Sequence, residues 1–391
     1  MIVHRSFPGF LSNIRPRRED ILQGVERSRL NLIVAMAHEI LDDPVARKAR
    51  DPADMLGLVL GLPDQVLAGW AAGEAADLPA LPSPLAAVAV LGMGGSGIGG
   101  DLLRTVLAGE CRVPVVVVKD YRVPRWFSQG TLAFAVSYSG NTEETLAAYQ
   151  ATRDLGASLV AITSGGRLAE MAQRDGVPVI RLPAGLPPRA AIGHLFFPML
   201  ALLHRLGVVG SWEEEVRGCV EVLRSLEERL GPSAPVDRNP AKHLATRLHG
   251  GVPVVYATAS LLEPAALRWK CQFNENSKTL ALWNVFPELN HNETVGWGVE
   301  PELARSFQVV LLRDRVEDPR ITQRVAITVD LALHRAGGLH EVWSEGRGKL
   351  ARLFSTILFG DLTSVYLAYL RGVDPTPVDV IEELKRRLGN G

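Results

Sequence analysis

The stretch FNENSKTLALWNVFPELNHNETVGW, residues 273–297, sets Glu275, Lys278 and His291 among asparagines in otherwise apolar surroundings. A carboxylate can move a proton at a carbon centre, and a histidine exchanges protons near neutral pH. An ammonium three residues from the carboxylate could pair with it and hold it ionised. The same residues could instead close a turn: Glu275 follows the helical run LEPAALRWKCQF, and Asn290 and Asn292 could hold His291 in a bend.

Two further stretches carry phosphate chemistry. GMGGSG, residues 92–97, fits a dinucleotide-binding pattern through Gly92, Gly94 and Gly97, and Asp120 ends the next strand near where a ribose-binding acid would stand. Glycine turns of this shape serve any anion that needs close backbone approach, so the motif alone is weak. SYSGNTEET, residues 137–145, gathers the hydroxyls of Ser137, Ser139 and Thr142 at a helix start, where free N–H groups and the helix dipole favour a phosphate. Glu144, three residues past Asn141, could complete a capping box. There is no GxxxxGK[ST] run, which argues against a nucleoside triphosphate with its magnesium and for a single phosphate held by hydroxyls and backbone.

These loops need a scaffold, and the chain spells one out. From Leu85, short apolar runs (LAAVAVLGMG, VPVVVVKD, TLAFAVSYSG, ASLVAITSG, VPVIRLP) alternate with helical ones, the pattern of a parallel sheet covered on both faces. PSAPVDRNP marks a boundary, after which Asn239 should cap a helix opening at Pro240. VPVVYAT, FQVVLLRD and HEVWSEG then read as strands between helices. The expected class is α/β, with two doubly wound domains at 51–232 and 233–391. Residues 1–50 read as a peripheral extension, or as sequence upstream of a start at Met36.

With 391 residues, 47% hydrophobic and 22% charged, the chain is too long for one ordinary core. Its 42 basic and 43 acidic side chains nearly cancel, so nucleic acid and anionic membrane surfaces are unfavoured partners and a small molecule is expected. Cys111, Cys219 and Cys271 lack zinc or disulfide spacing, which fits a reducing cytoplasm. No signal-peptide core opens the chain, and runs such as AAVAVLGMGG break at glycine short of membrane-spanning length.

Taken in order, GMGGSGIGGDLL, SYSGNTEETL, LPPRAAIG, FNENSK and ELNHNE resemble the bifunctional phosphoglucose/phosphomannose isomerase family, built from two sugar isomerase (SIS) domains. The resemblance spans about residues 50–391, and NENSK with NHNE is its most specific part. It implies that Gly94, Gly95 and Ser96 line the sugar site and that Ser137, Ser139 and Thr142 hold the phosphate. It further implies that Arg189 stabilises the intermediate, Glu275 is the base, His291 assists ring opening, and Lys385 of VIEELKRRL reaches in from the last helix. In this family the histidine enters from the neighbouring subunit, so the resemblance implies a homodimer. Lys278 stays unassigned.

Those residue types suit the chemistry. Interconverting an aldose and a ketose takes a proton from the carbon beside a carbonyl and returns it to the next carbon, which one carboxylate can do. The enediolate charge wants a fixed cation, and arginine stays ionised in any site. The reaction demands no metal and no redox cofactor. Competing readings are a non-catalytic sugar-phosphate sensor on the same fold and a nicotinamide dehydrogenase built on GMGGSG and Asp120. Two departures from the family pattern stand out: the 50-residue extension, and His194 in AIGH where an aromatic is expected.

Overall fold

The computed structural model describes residues 33 and 35–388. Most of the N-terminal extension, including the Arg15–Asp20 charge cluster, therefore lies outside the described residues. Of what is described there, Ala37 and Leu41 are fully buried in the main core, and Asp42 accepts from the Val236 N–H and pairs with Lys242, itself fully buried.

Two parallel sheets form the scaffold. The first has β1 (Ala87–Leu91), β2 (Val115–Val118), β3 (Thr131–Val136), β4 (Ser158–Thr163) and β5 (Val179–Arg181), in the order β2-β1-β3-β4-β5. Every residue of β1 and β3 is buried, as strands covered by helices on both faces must be. The second sheet has β6 (Val252–Thr258), β7 (Leu282–Phe286), β8 (Phe307–Arg313) and β9 (Gly338–Trp343), in the order β7-β6-β8-β9. Both sheets match the expected α/β plan. One strand was not anticipated: β7, at an edge, falls inside the Glu275-to-His291 stretch, and its LWNVF is too short and too mixed to show a strand's alternation.

All strands of a sheet run the same way, so their C-terminal ends share one edge, where ligands of open α/β sheets bind. Leu91 lies level with Val118 of β2 and Ala135 of β3. The loops GMGGSG, Lys119-Asp120 and SYSGNTEET therefore leave the first sheet side by side.

Seven helices matter to the site: α1 (Gly94–Val106), α2 (Glu143–Asp154), α3 (Ile192–Arg205), α4 (Pro240–Leu248), α5 (Glu263–Glu275), α6 (Lys349–Leu370) and α7 (Asp379–Leu388). Asn239 caps α4 as expected, its side-chain oxygen accepting from the N–H groups of Ala241 and Lys242 with Pro240 first in the helix. By length and apolarity α6 could cross a membrane, but 94% of its apolar window is buried inside the fold. It is the central core helix. Its Phe354 sits 5.3 and 5.0 Å from Phe196 and Phe197 of α3, and one apolar cluster runs from Val88 and Phe134 of the first sheet to Val255 and Val310 of the second.

α5, which ends at Glu275, packs on α6 and on α1. The Trp269 indole N–H donates to the Thr356 carbonyl at 2.9 Å, and Arg268 forks onto the buried carboxylate of Asp361 at 3.0 and 2.6 Å. Burial pushes the Asp361 carboxyl above its ordinary value while Arg268 opposes the rise. Removing one partner of such a pair strands the other charge, so Asp361→Ala should lower unfolding free energy by about 3–5 kcal/mol. Denaturant titration checks this, with Asp361→Asn expected to lose less.

Candidate active site

Glu275 is the last residue of α5, and the turn that follows is built by its neighbours. The N–H groups of Ser277 and Thr279 both return to the Phe273 carbonyl, which requires the intervening Lys278 to adopt φ = 51°, a left-handed conformation usually left to glycine or asparagine. The Lys278 ammonium reaches back to the Glu275 main-chain carbonyl at 2.7 Å and on to the Pro375 carbonyl at 3.2 Å. Lys278 thus holds the end of the helix; its hydrogen bond goes to the backbone of Glu275, where pairing with the carboxylate was one expectation. Burial and the nearby Arg189 lower the Lys278 pKa.

Arg189 stands in a short 3₁₀ turn, Pro188–Ala190, and is 5% exposed. Its Nε donates to Asn276 Oδ1 at 2.6 Å, and Nη2 donates to the carbonyls of Pro375 and Thr376, each at 2.7 Å. Nη1 lies 3.6 Å from Glu275 Oε2. Burial draws the guanidinium below its ordinary value and Glu275 works the other way, though arginine remains charged throughout. The Arg189 carbonyl accepts from Arg268 at 2.7 Å, so a continuous line of charge and hydrogen bonds runs Asp361–Arg268–Arg189–Glu275.

Carboxylate and guanidinium border a cavity of about 130 Å³ whose walls also include Gly94, Gly95, Lys119 and Cys271. A Cβ on Gly95 would stand 2.9 Å from the Pro188 carbonyl carbon and oxygen, so only glycine lets the start of α1 lie against the turn that carries Arg189. Larger hollows exist, such as one of about 460 Å³ beside Trp283 and Trp297. That one is mostly apolar, and another of about 400 Å³, lined by Arg104, Glu263, Asp314, Lys349 and Arg352, includes neither Glu275 nor the glycine loop; the smaller cavity is singled out because it joins Glu275 and Arg189 to that loop.

The hydroxyl loop lies beside the glycine loop and is tied to it: Ser96 Oγ accepts from the Tyr138 N–H at 3.1 Å. Ser137 is fully buried, shares a hydrogen bond with Thr142 Oγ1 at 2.9 Å and accepts from the Gly140 N–H at 3.1 Å; Ser139 is exposed and accepts from Asn141 N–H at 3.3 Å. Gly140 turns at φ = 69° with no room for a side chain, since a Cβ would fall 1.8 Å from the Gly165 carbonyl oxygen. The expected capping box does not form. Thr142 takes the N-cap position of α2 without a side-chain cap, and Asn141 Oδ1 accepts instead from the Arg167 N–H, which leaves the first turn of α2 uncapped by side chains. Asp120 is exposed and holds the Arg122 N–H at 3.3 Å, an ordinary turn role.

Two expected site residues do not meet the others within one chain. His291 is exposed at the end of a 3₁₀ turn, Glu288–His291, and Lys385 is exposed on α7; neither borders the cavity. His194 is buried in α3, where desolvation lowers its pKa. Conversely, sequence reasoning missed Asn276, Arg268, Asp361, Lys119 and the Pro375–Thr376 carbonyls. Asn276 alone carried a signal, as the asparagine after the glutamate in NENSK.

Residues 237–388 match the family described as the bacterial phospho-glucose isomerase C-terminal SIS domain. The bifunctional phosphoglucose/phosphomannose isomerase of Caldicellulosiruptor bescii is 42% identical over 334 residues, 85% of this chain and 98% of that protein. The enzyme of the same name from Aquifex aeolicus is 36% identical over 307 residues, 78% of this chain and 91% of its own length. The chain belongs to the bifunctional phosphoglucose/phosphomannose isomerase family. Its fold agrees with the crystal structure of a glucose-6-phosphate isomerase like protein from Thermus thermophilus, with TM-score 0.60 and 24% identity over 86% of this chain and 97% of that one.

Within this bifunctional isomerase fold, Asn276 is fully buried and joins Arg189 to Ser364 Oγ of α6, 2.9 Å away. Asn276→Ala leaves a buried guanidinium N–H without its acceptor, a loss of about 1.5–3 kcal/mol for a hydrogen bond to a charged group. Stability should fall by about that amount and kcat should fall with it, as Arg189 loses one of its fixed points; parallel denaturation and steady-state kinetics would show both.

Proposed function

We propose that this protein interconverts fructose 6-phosphate with glucose 6-phosphate and mannose 6-phosphate by proton transfer through an enediolate. The observation that carries the reading is Glu275 facing Arg189 across 3.6 Å on the wall of a cavity floored by Gly94 and Gly95, with the hydroxyl loop alongside. Two SIS domains meeting near residue 232, in a cytoplasmic protein, complete the picture.

The phosphate seats on Ser137, Ser139 and Thr142, and Gly94, Gly95 and Ser96 let the sugar lie close to the backbone. Ring opening passes a proton from the anomeric hydroxyl and returns one to the ring oxygen. His291 and Lys385 assist it; His291 is supplied by a second copy of the chain, consistent with its exposure here. Glu275 then removes the C2 proton of the open aldose, the C2–H electron pair becomes the C1–C2 double bond of the enediolate, and Arg189 balances the charge on its oxygens. Return of the proton to C1 gives the ketose. In net terms one proton passes from C2 to C1 and one from the C2 hydroxyl to the oxygen on C1, and no electron leaves the substrate, so no redox cofactor enters the balance. Rotation about C2–C3 in the enediolate presents either face to the same carboxylate, which accounts for both C2 epimers.

Purified protein in EDTA should convert fructose 6-phosphate to both aldose phosphates, quantified separately, while Glu275→Gln loses the roughly 10²–10⁴ in turnover ascribed to a positioned acid–base group and keeps its affinity for the sugar phosphate. A variant retaining most turnover would remove Glu275 as the base. Subunit sharing predicts that verified mixed dimers of Glu275→Gln and His291→Ala chains regain part of the turnover that either parent lacks; no recovery would place both groups in one subunit.

A further inference from the structure

One cation on the cavity wall has no part in this scheme. Lys119 follows β2 and borders the cavity with Gly94, Gly95, Arg189 and Glu275. Its ammonium meets the carboxylate of Asp101, on α1 and 8% exposed. A lysine–aspartate pair on a surface contributes little. Here the carboxylate is buried in the helix whose glycine end floors the site, which fixes the ammonium at the cavity's edge.

The donors around the cavity are unequally committed. Arg268 directs Nε and Nη2 to Asp361 and the Arg189 carbonyl, and Arg189 directs Nε and Nη2 to Asn276, Pro375 and Thr376. An ammonium carries three N–H donors. Among the described residues Asp101 is the acceptor that Lys119 meets, so donors remain for a ligand.

Strand order says which end of the ligand that is. Lys119 leaves β2 and the hydroxyl loop leaves β3, on opposite sides of the glycine loop after β1. Two strand spacings separate them, on the order of 10 Å, a span that an extended six-carbon chain with phosphate at one end can bridge. Resting on the isomerase reading above, we propose that Lys119, positioned by Asp101, donates a hydrogen bond to the substrate oxygen on carbon 1, sharing with Arg189 the charge that develops there. A lysine suits the place because its compact charge and rotating donors adapt to both epimers, where a guanidinium fork would impose one geometry. Lysine is not this chain's default cation: seven of its 42 basic residues are lysine.

The test separates the carbon-1 end from the phosphate end. Calorimetry would compare 5-phosphoarabinonate, whose carboxylate mimics the charged enediolate end, with sorbitol 6-phosphate, which keeps the phosphate and carries an uncharged hydroxyl at carbon 1. Lys119→Met should weaken the carboxylate probe by about tenfold or more and sorbitol 6-phosphate by less than about threefold, with kcat down about 10²–10³, as for loss of one donor to a developing oxyanion. Lys119→Arg should recover part of the carboxylate affinity. Asp101→Asn should weaken the same probe, and Asp101→Glu should restore it. Retained sorbitol 6-phosphate binding shows that the variant's site is folded. Equal weakening of both probes, or an unchanged carboxylate probe, overturns the assignment. Wild-type protein without turnover would instead overturn the isomerase reading, while the contrast between probes still decides where Lys119 binds.

Discussion

A guanidinium that cannot shed its proton and has left the solvent must be met by acceptors, and Arg189 is such a group. At 5% exposure it draws on Asn276 at the end of α5, on the carbonyls of Pro375 and Thr376 ahead of α7, and on Glu275. Three parts of the chain are held together by the acceptors that one side chain needs. Satisfying the charge also fixes where it stands beside Glu275.

The same dependence extends inward. Arg268 caps the Arg189 carbonyl while forking onto Asp361, so the pair deep in α5 and α6 sets where the turn carrying Arg189 can lie. Trp269, one residue along, fixes the register of the same two helices through the Thr356 carbonyl. Glu275 lies at the end of α5, and its placement depends on contacts made up to two turns earlier. Glu275 is thus set by a packed helix rather than by a loop, which holds its side chain more precisely.

The two loops beside the cavity differ in chemistry. Around GMGGSG, backbone meets backbone, and side chains would obstruct. Around SYSGNTEET, hydroxyls gather at a helix start, and the buried Ser137 is engaged with Thr142 and the Gly140 N–H, which holds the loop in shape. The Ser96–Tyr138 hydrogen bond makes the loops one surface.

Much of this was legible in residue order. Apolar runs of β1 and β3 between helical patterns announced a parallel sheet because two-sided burial leaves no room for polar alternation. The asparagine–proline start of α4 and the glycine and hydroxyl loops were equally plain, since caps and turns are local chemistry. β7 was not, because an edge strand of five mixed residues has no periodicity to read. The Arg189–Asn276 bond, the Arg268–Asp361 pair and the arrival of Lys119 beside Glu275 were hidden too. They join positions 87, 93 and more than 150 apart in the chain, and nothing in local spacing says which distant charge a buried arginine will meet. The sequence by itself determined the elements, the loops and the residue types able to do the chemistry; packing of α5 between α1 and α6 decided which of them face one another, because charges must find partners where the core has excluded water.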